Sequence, residues 1–315
     1  MSDSGISHVE HTIEVDAPAT DVYRLLAEVE NWPRIFGPTI HVDHVERGAR
    51  TERIRIWATA NGAAKSWTSR RELDPEALRI DFRQEVSAPP VAAMGGAWII
   101  EPVSEGACRV RLLHDYRAID DAPEDLAWIE QAVDRNSRSE LAALKANAEV
   151  VVGAADELML SFQDSVRIDG SAKDVYDFLN EADRWTERLP HVAEVELTEQ
   201  TPGLQVLTME TRAKDGSTHT TSSVRVCFPH ERIVYKQTVL PALMTLHTGY
   251  WLLEEDGEGT VATSQHTVII NTANIRAILG ESAGVAEARQ YVQTALSTNS
   301  RATLGHAKDY AERRD

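Results

Sequence analysis

The segment Arg79-Ile80-Asp81-Phe82-Arg83-Gln84-Glu85-Val86 has a close copy later in the chain, Arg232-Ile233-Val234-Tyr235-Lys236-Gln237-Thr238-Val239. The two segments are 153 positions apart, and the same offset relates Trp32 to Trp185. A chance match does not keep one offset over so long a stretch, and this period is far longer than the repeat of a solenoid. The sequence therefore predicts two copies of one domain.

The end of each copy carries the tripeptide Asn-Ser-Arg, at residues 136–138 and again at 299–301. These tripeptides are 163 positions apart instead of 153, so the second copy contains an insertion of ten residues before this point. We place the two predicted domains at residues 1–153 and 154–315.

The composition limits the kinds of partner. The chain has 315 residues, of which 42% are hydrophobic and 26% charged, as in folded globular proteins. Its net charge of −18 argues against nucleic acid and anionic membranes as partners, because both attract cationic surfaces. The N-terminal residues are polar, and no stretch approaches the roughly 20 apolar residues of a membrane-spanning helix. We therefore expect a cytoplasmic protein.

Motifs that bind cofactors or metals are missing. Two cysteines, Cys108 and Cys227, are too few for a disulfide framework or a multi-cysteine metal site. The sequence has no glycine-rich phosphate loop, no nucleophile-elbow motif, no His-Glu-x-x-His and no paired Cys/His spacing. Any chemistry is therefore expected to need no cofactor and no metal, and to depend on shape, hydrogen bonds and acid/base groups in a pocket.

Each copy shows the same order of elements. A short alternating segment typical of a strand is followed by an amphipathic helix that ends at Trp32 in the first copy and at Trp185 in the second. Alternating segments joined by short turns then indicate an antiparallel sheet, and a long helix closes each copy. This order predicts an α+β fold, in which a curved sheet around the long helix encloses an interior cavity.

The most informative strand contains Trp67, Ser69 and Arg71, which share one face because residues two apart point the same way. Thr221, Ser223 and Arg225 have the same arrangement in the second copy. If this face points outward, it is a solvated strand edge. If it points inward, an arginine within an apolar cavity is unfavourable unless it meets an oxygen-rich ligand. The sequence alone leaves both alternatives open.

Two further pairs occupy corresponding positions in both copies. His114 and His266 lie near the end of the last long strand, where a neutral imidazole is either a general acid or base or a strand residue bonded to backbone. Trp32 and Trp185 are either core anchors or part of a cavity rim. Histidines found in one copy only are expected at the surface: His41, His219 and His247.

The segment Glu30–Phe36, with its Trp32-Pro33 pair, and the strand Trp67-x-Ser69-x-Arg71 resemble the polyketide aromatase/cyclases of bacterial type II polyketide synthases. The doubled arrangement resembles their di-domain members. The resemblance implies two tandem helix-grip (START/Bet v 1-like) domains. It also implies a cofactor-independent enzyme that closes the first ring of a ketoreduced poly-β-ketone between carbons seven and twelve and then aromatises it. The implied partners are the acyl carrier protein that holds the chain and the other synthase subunits.

The resemblance also implies roles for particular residues. Catalytic or pocket positions carry over to Arg71, Ser69 and Trp67, with Arg83 as a second cavity arginine. In the second copy Arg225 and Ser223 match, Lys236 replaces the second arginine and Thr221 replaces the tryptophan. A tyrosine found in single-domain relatives is replaced by Thr39 and Val192, so no mechanism for this chain is expected to use that phenol.

Two other functions fit the same sequence. The fold can carry a hydrophobic ligand, such as a polyketide or lipid, without changing it. A scaffolding protein of the synthase would need no cavity at all. An acidic carrier protein would require a local basic patch on this acidic chain, for which the candidates are Arg47, Arg50, Arg53, Arg55 and Arg70. The alternative for these arginines is a solvated strand edge.

Overall fold

The computed structural model of this protein describes residues 5–60, 62–153, 155–212 and 218–313. For residues 149–153 and 155–156 only the backbone is described. Contacts divide the chain into two compact units, Met1–Ala154 (unit 1) and Ala155–Asp315 (unit 2). Each unit is described by itself below.

Unit 1 begins with a strand and a short helix, continues through six strands, and ends with a helix of 31 residues. Its strands are β1 (Ser7–Val15), β2 (Thr39–Arg47), β3 (Thr51–Ala60), β4 (Ala63–Asp74), β5 (Arg79–Gln84), β6 (Val91–Ser104) and β7 (Ala107–Ala118). Its α-helices are α1 (Ala19–Ala27), α2 (Trp32–Ile35) and α3 (Pro123–Gly153), with 3-10 turns at Val29–Asn31 and Ile119–Asp121.

Unit 2 repeats this order. Its strands are β8 (Met159–Ile168), β9 (Val192–Thr201), β10 (Leu204–Arg212), β11 (Thr218–Phe228), β12 (Arg232–Val239), β13 (Met244–Asp256) and β14 (Gly259–Ile270). Its α-helices are α4 (Ala155–Leu158), α5 (Ala172–Asn180), α6 (Trp185–Arg188), α7 (Ile275–Leu279) and α8 (Val285–Ala311), with 3-10 turns at Ala182–Arg184 and Thr272–Asn274. The predicted insertion is the segment with α7, because 14 residues separate β14 from α8 but only 4 separate β7 from α3.

Each unit forms one seven-stranded antiparallel sheet. The strand order is β1-β7-β6-β5-β4-β3-β2 in unit 1, and β8-β14-β13-β12-β11-β10-β9 in unit 2. The first strand pairs with the last, and the other neighbours in the sheet are consecutive in the chain, so short hairpins make most of the connections. The predicted α+β class and the two tandem domains of sheet and long helix are confirmed.

The core of each unit lies between the inner face of the sheet and the long helix. In unit 1, Val110 and Leu112 of β7 pack with Leu141 and Leu144 of α3. In unit 2, α8 contacts β8 and β14 at one side of the sheet, and Leu304 is fully buried there. Because the helix packs against this side, strands β10 to β12 face it across a gap.

A glycine in the middle of β6 and another in β13 allow close strand contacts. Gly96 pairs with His114, and Gly249 pairs with His266. A Cβ atom on Gly96 would lie 1.9 Å from the backbone oxygen of Leu113, and one on Gly249 would lie 2.2 Å from that of Gln265. Both distances are far below contact, so the approach of the neighbouring strand requires glycine at these positions.

We expect Gly96→Ala to lower the free energy of unfolding by about 1–3 kcal/mol, because the new methyl group has to displace backbone. The control is Gly106→Ala in the β6–β7 turn, where an added Cβ meets nothing within 4 Å. That change should stay within about 0.5 kcal/mol. Urea unfolding followed by tryptophan fluorescence measures both. Equal stability of the two variants would contradict the close approach.

Candidate active site

The arginines of β4 and β11 point inward and bind the C-terminal end of a short helix, α1 in unit 1 and α5 in unit 2. Arg71 is 3% exposed, and its Nη2 donates to the backbone oxygen of Leu26 at 2.7 Å. Arg225 is 2% exposed, and its Nη2 donates to the oxygen of Leu179 at 2.6 Å. The last carbonyls of a helix have no partner within it and carry partial negative charge. Each guanidinium therefore caps a helix, which stabilises the unit whether or not it performs chemistry.

Trp32 and Trp185 hold the same corner. The indole Nε1 of Trp32 donates to the oxygen of Leu26, and that of Trp185 donates to the oxygen of Phe178, each at 3.1 Å. The guanidinium carbon of Arg71 lies 5.1 Å from the ring centre of Trp32, and that of Arg225 lies 5.4 Å from the ring centre of Trp185. These are cation–π distances. The tryptophans therefore anchor the helix end and support the arginines.

The two arginines differ in their remaining contacts. In unit 1, Nη1 of Arg71 lies 2.8 Å from Oε1 of Glu52, a buried carboxylate on the neighbouring strand. The other oxygen of Glu52 lies 2.9 Å from Nε2 of His44. Burial lowers the pKa of Arg71 to about 10, and the charge of Glu52 opposes this shift. The guanidinium of Arg71 is thus bound on both sides and compensated in charge.

In unit 2 the position of Glu52 is taken by Gln205, which pairs with Arg225 across the strands. Nε2 of Gln205 donates to Oε2 of Glu199 at 2.8 Å, and its Oε1 has no hydrogen-bond partner among the described residues. Nη1 of Arg225 has no hydrogen-bond partner among the residues that the structure describes. Burial lowers the pKa of Arg225 from its ordinary value. A buried guanidinium N–H edge of Arg225 is therefore left unpaired by the described residues.

Arg225 lines a cavity of about 510 Å³ between the sheet and α8. This volume is within the usual range for small-molecule sites. Apolar side chains form much of the wall, including Leu189, Leu207, Met209, Leu243, Trp251 and Leu296. The cavity brings together five of the residues singled out from the sequence: Trp185, Thr221, Ser223, Arg225 and His266. The inward alternative for this strand is therefore correct.

Two histidines in this cavity form a buried hydrogen-bonded chain. Nδ1 of His266 lies 2.9 Å from Nε2 of His247 and 2.9 Å from the hydroxyl of Tyr235. On its other side, Nε2 of His266 lies 2.7 Å from Oγ of Ser300 and 3.2 Å from Oγ of Ser264. Burial lowers the pKa of His247 to about 3 and that of His266 to about 4, so both are neutral near pH 7.

The surface position expected for His247 is wrong, because this side chain is 2% exposed. Alternation along β13 already puts His247 on the same face as Gly249 and Trp251, and this signal would have revealed it. Tyr235, the other member missed, follows Ile233 on the inner face of β12 in the same way. His219 is exposed and is one of the residues that line the cavity. His41 is half-buried and stacks on Trp57.

The corresponding residues of unit 1 have different partners. Oγ of Ser69 donates to the backbone oxygen of Arg83 at 3.1 Å. Trp67 packs with Trp32 against a small apolar cluster around Ile54. His114 lies 3.4 Å from Oγ of Ser137, and burial lowers its pKa to about 4. The hydroxyl and guanidinium of this strand are thus both engaged by the protein itself.

The cavity position expected for Arg83 is wrong, and Lys236 is buried but is not among the residues that line the cavity. Alternation along β5 puts Ile80 and Phe82 inside, so Arg83 lies on the outer face with its side chain 55% exposed and 2.8 Å from Asp115. Lys236 is buried, but its neighbours Tyr235 and Gln237 are the residues of β12 that line the cavity. Burial lowers the pKa of Lys236 to about 7. The tyrosine-replacing residues, Thr39 and Val192, are both buried.

The arginines considered as a basic patch have acidic neighbours. Arg53 and Arg70 both bind Glu85, at 2.6 and 2.8 Å. Arg50 binds Glu76 at 2.8 Å, Arg47 lies 3.8 Å from Glu30, and Arg55 lies over the ring of Trp57. These contacts are those of a solvated strand edge with alternating charge.

The comparisons with known proteins agree with this architecture. The family described as polyketide cyclase / dehydrase and lipid transport matches the chain twice, over residues 7–149 and 159–312. The chain belongs to this family. Among the described residues, this cyclase has no helix long and apolar enough to cross a membrane. Within the same residues, no three carboxylate, imidazole or thiol groups come together as metal ligands.

Relatives match the cyclase over almost its whole length. The granaticin polyketide synthase bifunctional cyclase/dehydratase of Streptomyces virginiae is 56% identical over 93% of this chain and 96% of its own. The actinorhodin polyketide synthase bifunctional cyclase/dehydratase of Streptomyces coelicolor is 47% identical over 98% of both chains. The expectation of a polyketide cyclase/dehydratase enzyme is confirmed.

Solved structures show the same two-domain fold. The di-domain ARO/CYC BexL from the BE-7585A biosynthetic pathway is 69% identical, with a TM-score of 0.92 over 97% of this chain and 99% of its own. The di-domain ARO/CYC StfQ from the steffimycin biosynthetic pathway is 36% identical, with a TM-score of 0.87 over 97% and 99%. The resemblance to di-domain aromatase/cyclases, and the tandem helix-grip fold that it implies, are confirmed.

We expect Glu52→Ala to destabilise the cyclase much more than Gln205→Ala. Removing Glu52 leaves the buried charge of Arg71 without a counter-charge, at a cost of about 3–5 kcal/mol. Removing Gln205 breaks ordinary hydrogen bonds, at about 1 kcal/mol. Urea unfolding of both variants gives the comparison. Equal losses would show that the ion pair does not compensate Arg71.

Proposed function

We propose that this cyclase/dehydratase closes the first ring of a ketoreduced poly-β-ketone by an aldol reaction between carbons seven and twelve. Loss of water from the aldol product then gives the aromatic ring. The chain is delivered on an acyl carrier protein, and the enzyme works with the other subunits of a type II polyketide synthase in the cytoplasm. The observation that carries this proposal is the unpaired N–H edge of Arg225, a residue that lines an apolar cavity.

The cavity supplies orientation. A poly-β-ketone has many carbonyl groups and acidic methylene groups, so the difficulty is to select one aldol reaction among several. A narrow apolar space that holds the chain in one bend brings the two reacting carbons together, and such positioning contributes about 7–11 kcal/mol at best. Trp185 and Thr221 line this space beside Arg225. In unit 1, Trp67 takes the place of Thr221.

Arg225 supplies charge stabilisation. An aldol reaction converts a ketone oxygen to an alkoxide, and Nη1 of Arg225 is a donor fixed in place before the reaction. One well-placed donor of this kind contributes roughly 3–4 kcal/mol to the rate. Ser223, which also lines the cavity, is placed to bind the same oxygen or a water molecule. His266 belongs to the buried hydrogen-bonded chain, to which we assign the proton transfers of the reaction.

We assign a different role to the arginine of unit 1. Arg71 already binds Leu26 and Glu52, so a substrate oxygen would have to compete with a carboxylate for it. We therefore propose that residues 154–315 hold the oxygen-binding chamber. The domain of residues 1–153, with Ser69 and His114 in its interior, is proposed as an aromatase/cyclase-like domain whose arginine is structural.

A hydrophobic-ligand carrier is the second candidate, because the cavity wall is largely apolar. A carrier changes the solubility of a polyketide, whereas an enzyme changes the product. Adding the protein to a reconstituted system that makes carrier-bound polyketides distinguishes the two. The proposed function predicts a shift from spontaneously cyclised shunt compounds to one aromatic product. An unchanged product mixture with bound polyketide would establish the carrier.

In the same system we expect Arg225→Met to return the products to shunt compounds, with aromatic product falling about 10²–10³-fold. The control is the double variant Arg71→Met/Glu52→Leu, which removes both buried charges of unit 1 together and so avoids an unpaired one. This control should keep the wild-type product. Wild-type products from Arg225→Met, or shunt products from the folded control alone, would reverse the assignment of the two arginines.

A further inference from the structure

The hydrogen-bonded chain of unit 2 ends in an unpaired atom of a residue that lines the cavity. His247 is buried and lines the cavity, and its Nδ1 has no hydrogen-bond partner within the part of the chain that the structure describes. Its Nε2 is bound by His266. A buried polar atom without a partner is uncommon and unfavourable in folded proteins. Its position in the cavity wall indicates that a ligand supplies the missing partner.

Unit 1 lacks this chain although it keeps the fold. The residues that correspond to Tyr235 and His247 at the 153-residue offset are Phe82 and Met94. His114, which corresponds to His266, meets the edge of the Phe82 ring at 5.5 Å instead of a hydroxyl and a second imidazole. In unit 2, two polar side chains, Tyr235 and His247, thus surround the histidine, whereas unit 1 has apolar side chains at both positions. Core packing does not explain this difference, because apolar residues fill the same positions in the other copy.

The distances allow two neutral arrangements of protons. In one, Nε2–H of His247 donates to Nδ1 of His266, and Nε2–H of His266 donates to Ser300, so Nδ1 of His247 carries a lone pair. In the other, every one of these bonds is reversed and Nδ1 of His247 presents a proton. Conversion of one arrangement into the other transfers one proton along the hydrogen-bonded chain from one end to the other. The same atom can therefore act as a base and then as an acid.

We propose that Nδ1 of His247 is the atom that exchanges protons with the substrate, and that His266 and Tyr235 position it and share its charge. This inference deepens the proposed function and rests on it. Because unit 1 has Met94 in place of His247, this inference assigns the proton transfers of the reaction to unit 2.

The steps balance with His247 alone as the proton carrier. Nδ1 takes a proton from a methylene group, and the electron pair left on that carbon forms the new bond to the second ketone carbon. The resulting alkoxide, held by Arg225, takes the proton back. In the dehydration Nδ1 removes the other proton of the same methylene carbon, a carbon–carbon double bond forms, and the hydroxide that leaves takes that proton and departs as water. His247 begins and ends neutral.

The test uses two variants of the full-length protein in the reconstituted system. His247→Ala removes the imidazole and leaves a space, and His247→Met installs the residue of unit 1. We expect both to slow aromatic product formation about 10²–10⁴-fold, the usual contribution of a general acid–base group. Added imidazole should restore a large part of the rate of His247→Ala but not that of His247→Met, in which the space is filled. A structural role of His247 would not give this pattern.

His8→Gln is the matched control, because His8 is an exposed histidine of β1 in unit 1. Its rate should equal that of the wild type with and without imidazole. Tyr235→Phe, which installs the other residue of unit 1, should lower kcat and leave KM unchanged. Near-wild-type product formation by either folded His247 variant would overturn the proposal, as would a slow His247→Ala that imidazole does not rescue. If the wild type itself forms no aromatic product, the proposed function fails and this inference falls with it.

Discussion

The structure of each unit depends on the interaction of a buried guanidinium group with the C-terminal end of a short helix, α1 or α5. A cation inside an apolar core is unfavourable unless its N–H groups find oxygen atoms. Arg71 and Arg225 find them in the carbonyls that a helix end leaves without partners, and the faces of Trp32 and Trp185 complete the surroundings. This arrangement fixes the helix against the sheet. It also places a strong donor permanently at the inner wall of the unit, before any ligand arrives.

The buried arginine has different partners in the two units. In unit 1, Glu52 occupies the second side of the guanidinium, so the cap is complete and the charge is compensated. In unit 2, the amide nitrogen of Gln205 bonds to Glu199, and the second side of Arg225, a cavity-lining residue, remains unpaired. The histidine chain follows the same division, since Phe82 and Met94 stand where Tyr235 and His247 stand. Three substitutions thus distinguish the interior of unit 1 from that of unit 2, which has an unpaired donor and a hydrogen-bonded pair of histidines.

Much of the fold could be predicted from the sequence, because the two copies can be compared element by element. The alternating segments and the apolar spacing of the helices predict the α+β order, and the change of offset predicts an insertion in the second copy, which the structure shows between β14 and α8. The site was only partly predictable. The resemblance implies a cavity position for Arg83, but alternation in β5 puts Phe82 on the inner face instead. Occurrence in one copy only does not indicate a surface residue, since His247 is buried. The ion pair of Arg71 with Glu52 lay beyond sequence reasoning, because it depends on strand register.

The central claim is that the unpaired Nη1 of Arg225 binds a substrate oxygen. A structure of the protein with a stable aromatic β-polyketone mimic tests it most directly. The account predicts a ligand in the cavity of unit 2, with an oxygen at hydrogen-bond distance, about 2.7–3.2 Å, from Nη1 of Arg225. A ligand whose apolar part faces Nη1, or one that occupies the interior of unit 1 while the cavity of unit 2 stays empty, would contradict it.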